Sequence, residues 1–108
     1  MITISVLDTT RGAPAPRIPT ELDVFITGHG WREVGHGLTN GEGRIQSFGE
    51  PPAAGVYRLM LDIASYDPEI FFPSIAVTFE VADQQESVHI ALSLSRFAYS
   101  VARDRYNS

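Results

Sequence analysis

The chain has 108 residues, with 13 acidic against 8 basic side chains, a formal net charge of -5, no cysteine and 44% hydrophobic residues. This composition predicts one globular domain over residues 1–108 that folds without disulfides, and it excludes thiolate nucleophiles and thiolate metal sites. The acidic balance argues against a nucleic-acid partner, and without a long apolar run, a basic amphipathic stretch or a signal sequence we expect no membrane contact and a cytoplasmic location.

Apolar residues alternate with a period of two along most of the chain, which predicts strands rather than helices. We expect strands near residues 2–7, 22–27, 31–34, 55–62, 75–81, 88–94 and 97–103. Residues 8–20 contain three prolines and are predicted to form an extended turn. Residues 39–43 predict a tight turn, and residues 51–52 predict a loop. Residues 63–69 are the one segment in which the pattern allows a short helix. Seven or eight short strands predict an all-β, immunoglobulin-like two-sheet sandwich.

The strand pattern also predicts which side chains face away from the core. If the apolar set within residues 88–94 faces the core, His89 points outward, because successive side chains alternate across a sheet. The outward sets are then Thr3, Ser5 and Leu7 on the first strand, Ser87, His89, Ala91 and Ser93 on the penultimate strand, and Ala98, Ser100, Ala102 and Asp104 on the last strand. A solvated sheet face normally has longer polar residues, so we expect a second subunit to pack there and to enclose a channel. The alternative is a plain solvated face with one histidine.

A series of short motifs resembles the transthyretin and 5-hydroxyisourate hydrolase family, in the family's order and over nearly the whole chain. The matching pieces are Leu7-Asp8, Gly12-Ala13-Pro14-Ala15, Thr39-Asn40-Gly41-Glu42-Gly43-Arg44, Gly55-Val56-Tyr57-Arg58-Leu59, Phe71-Phe72-Pro73, Thr78-Phe79-Glu80-Val81, His89-Ile90-Ala91-Leu92 and Tyr99-Ser100. No single piece is diagnostic, whereas the ordered set is. The resemblance implies an eight-stranded transthyretin-like sandwich. It also implies a homotetramer whose central channel is lined by the first strand and the last two.

The resemblance further implies a site in that channel. In the hydrolases of this family the site has a histidine on the first strand, an arginine after the Asn/Gly turn, a histidine on the penultimate strand and a Tyr-Arg-Gly-Ser tail. The arginine falls on Arg44 and the second histidine on His89, whereas Ser5 replaces the first-strand histidine. The four tail positions fall on Ala102, Arg103, Asp104 and Arg105, so that the arginine alone matches. The site is therefore expected to be altered.

Hydrolysis of a cyclic ureide needs an activated water, a donor for the leaving nitrogen and a cation for the negative charge that develops on oxygen. We assign His89 as base or acid, because its reference pKa of about 6.5 lies near the working pH. Arg44 is assigned as the cation and Asp104 as the carboxylate that orients the imidazole. Substrate binding is assigned to Ser5, Ser100, Ala102 and Arg103. The alternative is that an arginine after a turn and a lone outward histidine are surface residues.

The two remaining histidines are interpreted as loop residues. His29 and His36 lie among glycines, and no carboxylate at convincing ligand spacing accompanies them. We therefore expect neither a metal nor a cofactor.

Three functions are compatible with this sequence. The first is a 5-hydroxyisourate-hydrolase-like enzyme that acts on a heterocyclic or ureide-type small molecule in a channel between subunits, with purine metabolism as the family's substrate class. The second is a repurposed cyclase or isomerase that uses Arg44, His89 and Asp104 on another substrate. The third is a binding module without catalysis, like transthyretin, with a small ligand in the channel.

Overall fold

The alternating apolar residues form nine strands in a computed structural model that describes residues 1–49 and 53–104. The strands are β1 (Ile2–Asp8), β2 (Ala13–Pro14), β3 (Pro19–Ile26), β4 (Gly30–Leu38), β5 (Arg44–Ile45), β6 (Gly55–Asp62), β7 (Ser74–Val81), β8 (Val88–Leu94) and β9 (Tyr99–Asp104). Sheet I has the strand order β2-β1-β8-β9, with β5 paired to β1, and sheet II has the order β4-β3-β6-β7. The all-β, two-sheet sandwich predicted from the alternation is therefore confirmed.

The core consists of the inward-facing halves of the alternating strands. Ile2, Ile4 and Val6 of β1 are buried, and so is every second residue of β8 from Val88 to Leu94. They belong to one hydrophobic cluster with apolar residues of sheet II. Burial of one such side chain stabilises the fold by about 1.5–3 kcal/mol. This energy fixes which face of β1 and β8 turns away from the core.

The register of sheet I arranges the outward side chains in rows. Strand β1 runs parallel to β8, and β9 pairs antiparallel with β8 on its other side. Directly paired residues point to the same face of a sheet. One row contains Thr3, His89 and Asp104, the next contains Arg44, Ser5, Ala91 and Ala102, and the third contains Leu7, Ser93 and Ser100. We call this outward surface of sheet I the site face.

Residues 63–69 form turns where the sequence allowed a short helix. The amides of Tyr66 and Asp67 both donate to the carbonyl of Ile63 at 2.9 Å, which closes a single turn. Pro68 follows and has no N–H with which to continue a helical ladder. The expectation of a helix is therefore wrong for this segment. Within the described ranges no helix is long and apolar enough to cross a membrane.

Two strands of sheet II, β3 and β4, are longer than the sequence predicted. Strand β3 starts at Pro19 instead of residue 22, because proline at the first position of a strand removes no necessary ladder donor. Strand β4 continues past Val34 to Leu38, since it pairs with β3 across a register shift next to Leu22. The glycines after Val34 weaken a strand in isolation, but this pairing keeps them extended.

Two further differences concern the ends of sheet I. Within the expected turn over residues 8–20, Ala13 and Pro14 fold back to pair with β1, which makes the short strand β2. Strand β9 covers Tyr99–Asp104, whereas the prediction was residues 97–103. The predicted loop at residues 51–52 and the final residues 105–108 lie outside the described residues.

Candidate active site

The predicted tight turn holds Arg44 against β1. The side-chain oxygen of Asn40 accepts a hydrogen bond from the amide of Arg44 at 3.0 Å, which closes the turn. Gly43 has a positive φ of 73°, and a Cβ at this position would lie 2.5 Å from the carbonyl oxygen of Val6. Only glycine fits this close approach. The turn therefore delivers Arg44 to the position opposite Ser5, on the site face.

His89 points away from the core, as the alternation predicted, but only 6% of its surface is exposed. The hydroxyl oxygen of Thr3 lies 2.7 Å from its Nδ1, and the hydroxyl oxygen of Ser5 lies 3.0 Å from its Nε2. Both ring nitrogens are thus hydrogen-bonded to side chains of β1. The predicted outward direction does not make His89 exposed within the protomer, because Thr3 and Ser5 of β1 contact the ring.

Three effects act on the charge of this imidazole. Burial lowers the pKa of His89, the nearby Arg44 guanidinium lowers that pKa further, and the carboxylate of Asp104 raises it. The net direction is downward, so the imidazole is predominantly neutral at neutral pH. A neutral imidazole has one nitrogen that donates and one that accepts, which is the state a general base requires.

The structure brings most of the predicted site residues to one surface. Arg44, Ser5, His89 and Asp104 occupy two adjacent rows of the site face, and Ala102 and Ser100 follow along β9. Arg103 is on the opposite face of β9, because its partner in the register is the core residue Ile90. Its guanidinium contacts the carboxylate of Glu86 at 2.7 Å. Within this protomer, Arg103 is thus separated from the other assigned residues.

Thr3 is a candidate site residue that the sequence reasoning did not assign. The alternation put Thr3 on the outward side of β1, but nothing local indicated that its hydroxyl meets a ring nitrogen of His89. That contact depends on the parallel pairing of β1 with β8, two strands that are far apart in the sequence.

The other two histidines belong to sheet II and its β3–β4 turn, not to the site face. His36 is in strand β4 and not in a loop, and its Nδ1 lies 3.2 Å from a carboxylate oxygen of Glu33. His29 is in the turn between β3 and β4. Residues 1–49 and 53–104 contain no group of three or more His, Asp or Glu side chains placed to bind a metal ion. The expectation of no metal and no cofactor stays a prediction.

The two-sheet topology, together with Arg44 and His89 on the site face, defines a transthyretin-like protein. The crystal structure of sea bream transthyretin in complex with thyroxine has a TM-score of 0.90 to this chain at 24% identity, and the match covers 99% of this chain and 97% of that one. This likeness shows the fold. The sequence pattern of the HIUase/Transthyretin family matches residues 2–104, and the chain belongs to that family.

Two relatives to which this chain is similar have names that refer to uric acid degradation or 5-hydroxyisourate hydrolysis. The 5-hydroxyisourate hydrolase of Salmonella dublin is 31% identical over 109 residues, which are 95% of this chain and 79% of that protein. The uric acid degradation bifunctional protein of Arabidopsis thaliana is 35% identical over 117 residues, which are 94% of this chain. The chain spans only 36% of that plant protein's length.

Proposed function

We propose that this protein is an enzyme of the 5-hydroxyisourate-hydrolase type, which opens the ring of a heterocyclic, ureide-type substrate by hydrolysis. The observation that carries the proposal is the imidazole of His89, which is held between two hydroxyls on the site face with its pKa lowered by burial and by Arg44. Such a base is ready to accept a proton at neutral pH. The similarity to a named 5-hydroxyisourate hydrolase supports the substrate class, and purine degradation is the corresponding pathway.

In this proposal the residues of the site face divide the chemistry among them. His89 takes a proton from the attacking group and returns it to the leaving ring nitrogen. Arg44 stabilises the negative charge that develops on the carbonyl oxygen, since a fixed cation in a desolvated site strongly favours that charge. Asp104, opposite His89 in the register, stabilises the imidazolium that forms in between. Ser100 and Ala102 border the substrate.

The proposal includes a homotetramer with the site face lining a central channel. All six residues of the edge strand β9 are exposed in the single chain, and they include the large apolar side chains of Tyr99 and Val101. Beside this edge, Phe97 is 70% exposed and Phe71 is 67% exposed. An unpaired edge with exposed aromatic residues favours association with another chain. We also propose the cytoplasm as the compartment, because a chain without cysteine needs no oxidising environment.

The direct test is a turnover assay with freshly generated 5-hydroxyisourate, together with light scattering at micromolar protein concentration. We expect hydrolysis above the uncatalysed rate and the mass of a tetramer. A monomer would contradict the proposed channel. A tetramer that binds the compound without turnover would favour the ligand-binding module instead.

A second candidate is a repurposed cyclase or isomerase, and the replacement of the first-strand histidine by Ser5 favours it. This replacement leaves a single imidazole on the site face, opposite the carboxylate of Asp104, which stands where the resemblance implies a glycine of the family's tail. Assays of the reverse, ring-closing direction and of other cyclic amides distinguish this candidate from the hydrolase.

A further inference from the structure

A serine, an imidazole and a second hydroxyl form a continuous hydrogen-bonded chain on the site face. The hydroxyl oxygen of Ser5 lies 3.0 Å from Nε2 of His89, and the hydroxyl oxygen of Thr3 lies 2.7 Å from Nδ1 of the same ring. A hydroxyl within hydrogen-bond reach of an imidazole whose other nitrogen is held by a third group is the arrangement that activates a serine nucleophile.

We propose that Ser5 is a catalytic nucleophile that attacks the carbonyl carbon of a cyclic amide and holds the acyl group as an ester. This inference deepens the proposed ring-opening function and depends on it for its natural substrate. It replaces a water that attacks directly with a hydroxyl of the protein, so that the reaction passes through a covalent intermediate.

The reaction then has two balanced halves. In the first, the Ser5 hydroxyl gives its proton to Nε2 of His89 while the Oγ–C bond forms, and the ring C–N bond breaks as the same proton moves from His89 to the leaving nitrogen. In the second, His89 takes a proton from a water that attacks the ester, the C–Oγ bond breaks, and the proton returns to Ser5. The net change is the addition of one water across the amide bond.

The hydrogen-bond chain accommodates the tautomer that this mechanism needs, because each hydroxyl can either donate or accept. If Nδ1 donates its hydrogen to the hydroxyl oxygen of Thr3, the lone pair of Nε2 faces the hydroxyl of Ser5. Burial of the ring and the nearby Arg44 lower the pKa of His89, which keeps it unprotonated and ready to act as a base. Thr3 is a positioning residue in this scheme, because it acts through the imidazole.

Charges on both sides of the pair match the charges that develop. Arg44 is directly opposite Ser5 in the register, where side chains of paired residues start about 4.5–5.5 Å apart. A guanidinium in that position stabilises the oxyanion that attack by Ser5 creates. Asp104 is directly opposite His89, and its carboxylate favours the imidazolium.

The test uses the intact protein and p-nitrophenyl acetate, an activated ester that acylates serine nucleophiles. We expect a burst of about one p-nitrophenol per site and a mass gain of one acetyl group, which peptide mapping places on Ser5. Ser5→Ala abolishes both signals. Ser5→Cys restores acylation, because a thiol remains in reach of His89. The matched control Ser74→Ala removes an exposed serine of sheet II, away from the site face, and leaves both signals unchanged.

Each outcome separates this inference from the proposed function. Acetylation of Ser5 in a protein that does not turn over 5-hydroxyisourate supports the nucleophile and contradicts the hydrolase. Turnover of 5-hydroxyisourate that survives Ser5→Ala, or an acetyl group found only on other residues, overturns the nucleophile and leaves the hydrolase standing.

Discussion

Two histidines point outward from the two sheets of this sandwich, and their surroundings differ sharply. His89 is on β8, which has a strand on each side, and 6% of its surface is exposed. His36 is on β4, an edge strand of sheet II, and 75% of its side chain is exposed beside Glu33. An outward side chain on a central strand has neighbouring strands on both sides that can cover it. On an edge strand it has such a neighbour on one side only. Position within the sheet, rather than direction alone, therefore turns a histidine into a candidate catalytic group.

The outward surfaces around these histidines differ in the same way. The site face has small side chains around His89. On sheet II, the guanidinium of Arg58 lies over the ring of Trp31 at 4.3 Å and contacts the buried carboxylate of Asp23 at 3.1 Å. On sheet II a long side chain of the same sheet thus pairs with the buried carboxylate, whereas the residues next to His89 on β1 are the short Thr3 and Ser5. We expect activity to respond to changes on the site face and stability to respond to changes on sheet II.

The largest expected effect is the loss of activity in His89→Ala. If His89 is the proton-transfer group, kcat/KM for 5-hydroxyisourate falls by about two to four orders of magnitude. The matched variant His36→Ala removes the exposed histidine of sheet II and leaves kcat/KM unchanged. Circular dichroism and light scattering check that both variants keep the fold and the assembly. An active His89→Ala protein would favour the ligand-binding module.

The next effect comes from restoring the family's first-strand histidine with Ser5→His. We expect this larger ring to displace His89 from its position and to lower turnover by about a hundredfold or more, because the proposed nucleophile and its hydrogen bond to His89 are lost. Steady-state kinetics with 5-hydroxyisourate measure the change. An increase in turnover would mean that the site is an ordinary hydrolase that has lost one imidazole.

Asp104→Ala and Arg44→Gln are expected to move the pH profile in opposite directions. Among the residues that the structure describes, the charged groups that act on His89 are Arg44 on β5 and Asp104 on β9, while Thr3 and Ser5 on β1 stay neutral. Asp104 raises the pKa of His89, so its removal lowers that pKa and shifts the acid limb of kcat/KM to lower pH. Arg44 lowers the same pKa, so its removal shifts the limb to higher pH.

The activity of Asp104→Ala is also expected to fall by about tenfold, because the imidazolium loses its carboxylate partner. Proton NMR titration of His89 gives the same two directions without depending on turnover. An acid limb that moves the same way in both variants would show that at least one of these charges does not act on His89.

The smallest effect on activity is expected from Arg58→Ala on sheet II. This change leaves the buried carboxylate of Asp23 without its cation, which costs about 1–3 kcal/mol of unfolding free energy. Urea unfolding measures the loss, and kcat/KM stays unchanged. The double variant Asp23→Asn with Arg58→Ala recovers part of the stability, because no buried charge is then left unpaired. A loss of activity in Arg58→Ala with unchanged stability would contradict the division between the two surfaces.

The sequence by itself determined which side chains face the core and where the chain turns. The alternation of Ile2, Ile4 and Val6 is a local signal, because side chains two apart in a strand always share a face. The turn before Arg44 was equally visible, since Asn40 and Gly43 are residues that tight turns require. Together with the ordered family motifs, these signals were enough to predict the sandwich and to select Arg44 and His89.

Only the tertiary structure decided which of these faces meet and how deeply each side chain is covered. Nothing near Thr3 in the sequence indicates that it pairs with His89, because strand order and register follow from packing of the whole core. The same packing buries His89 between two hydroxyls, turns Arg103 away from it, and leaves residues 63–69 as turns. A period of two fixes a face within one strand, whereas the two hydroxyls that contact His89 on that face belong to Thr3 and Ser5, more than 80 positions away in the sequence.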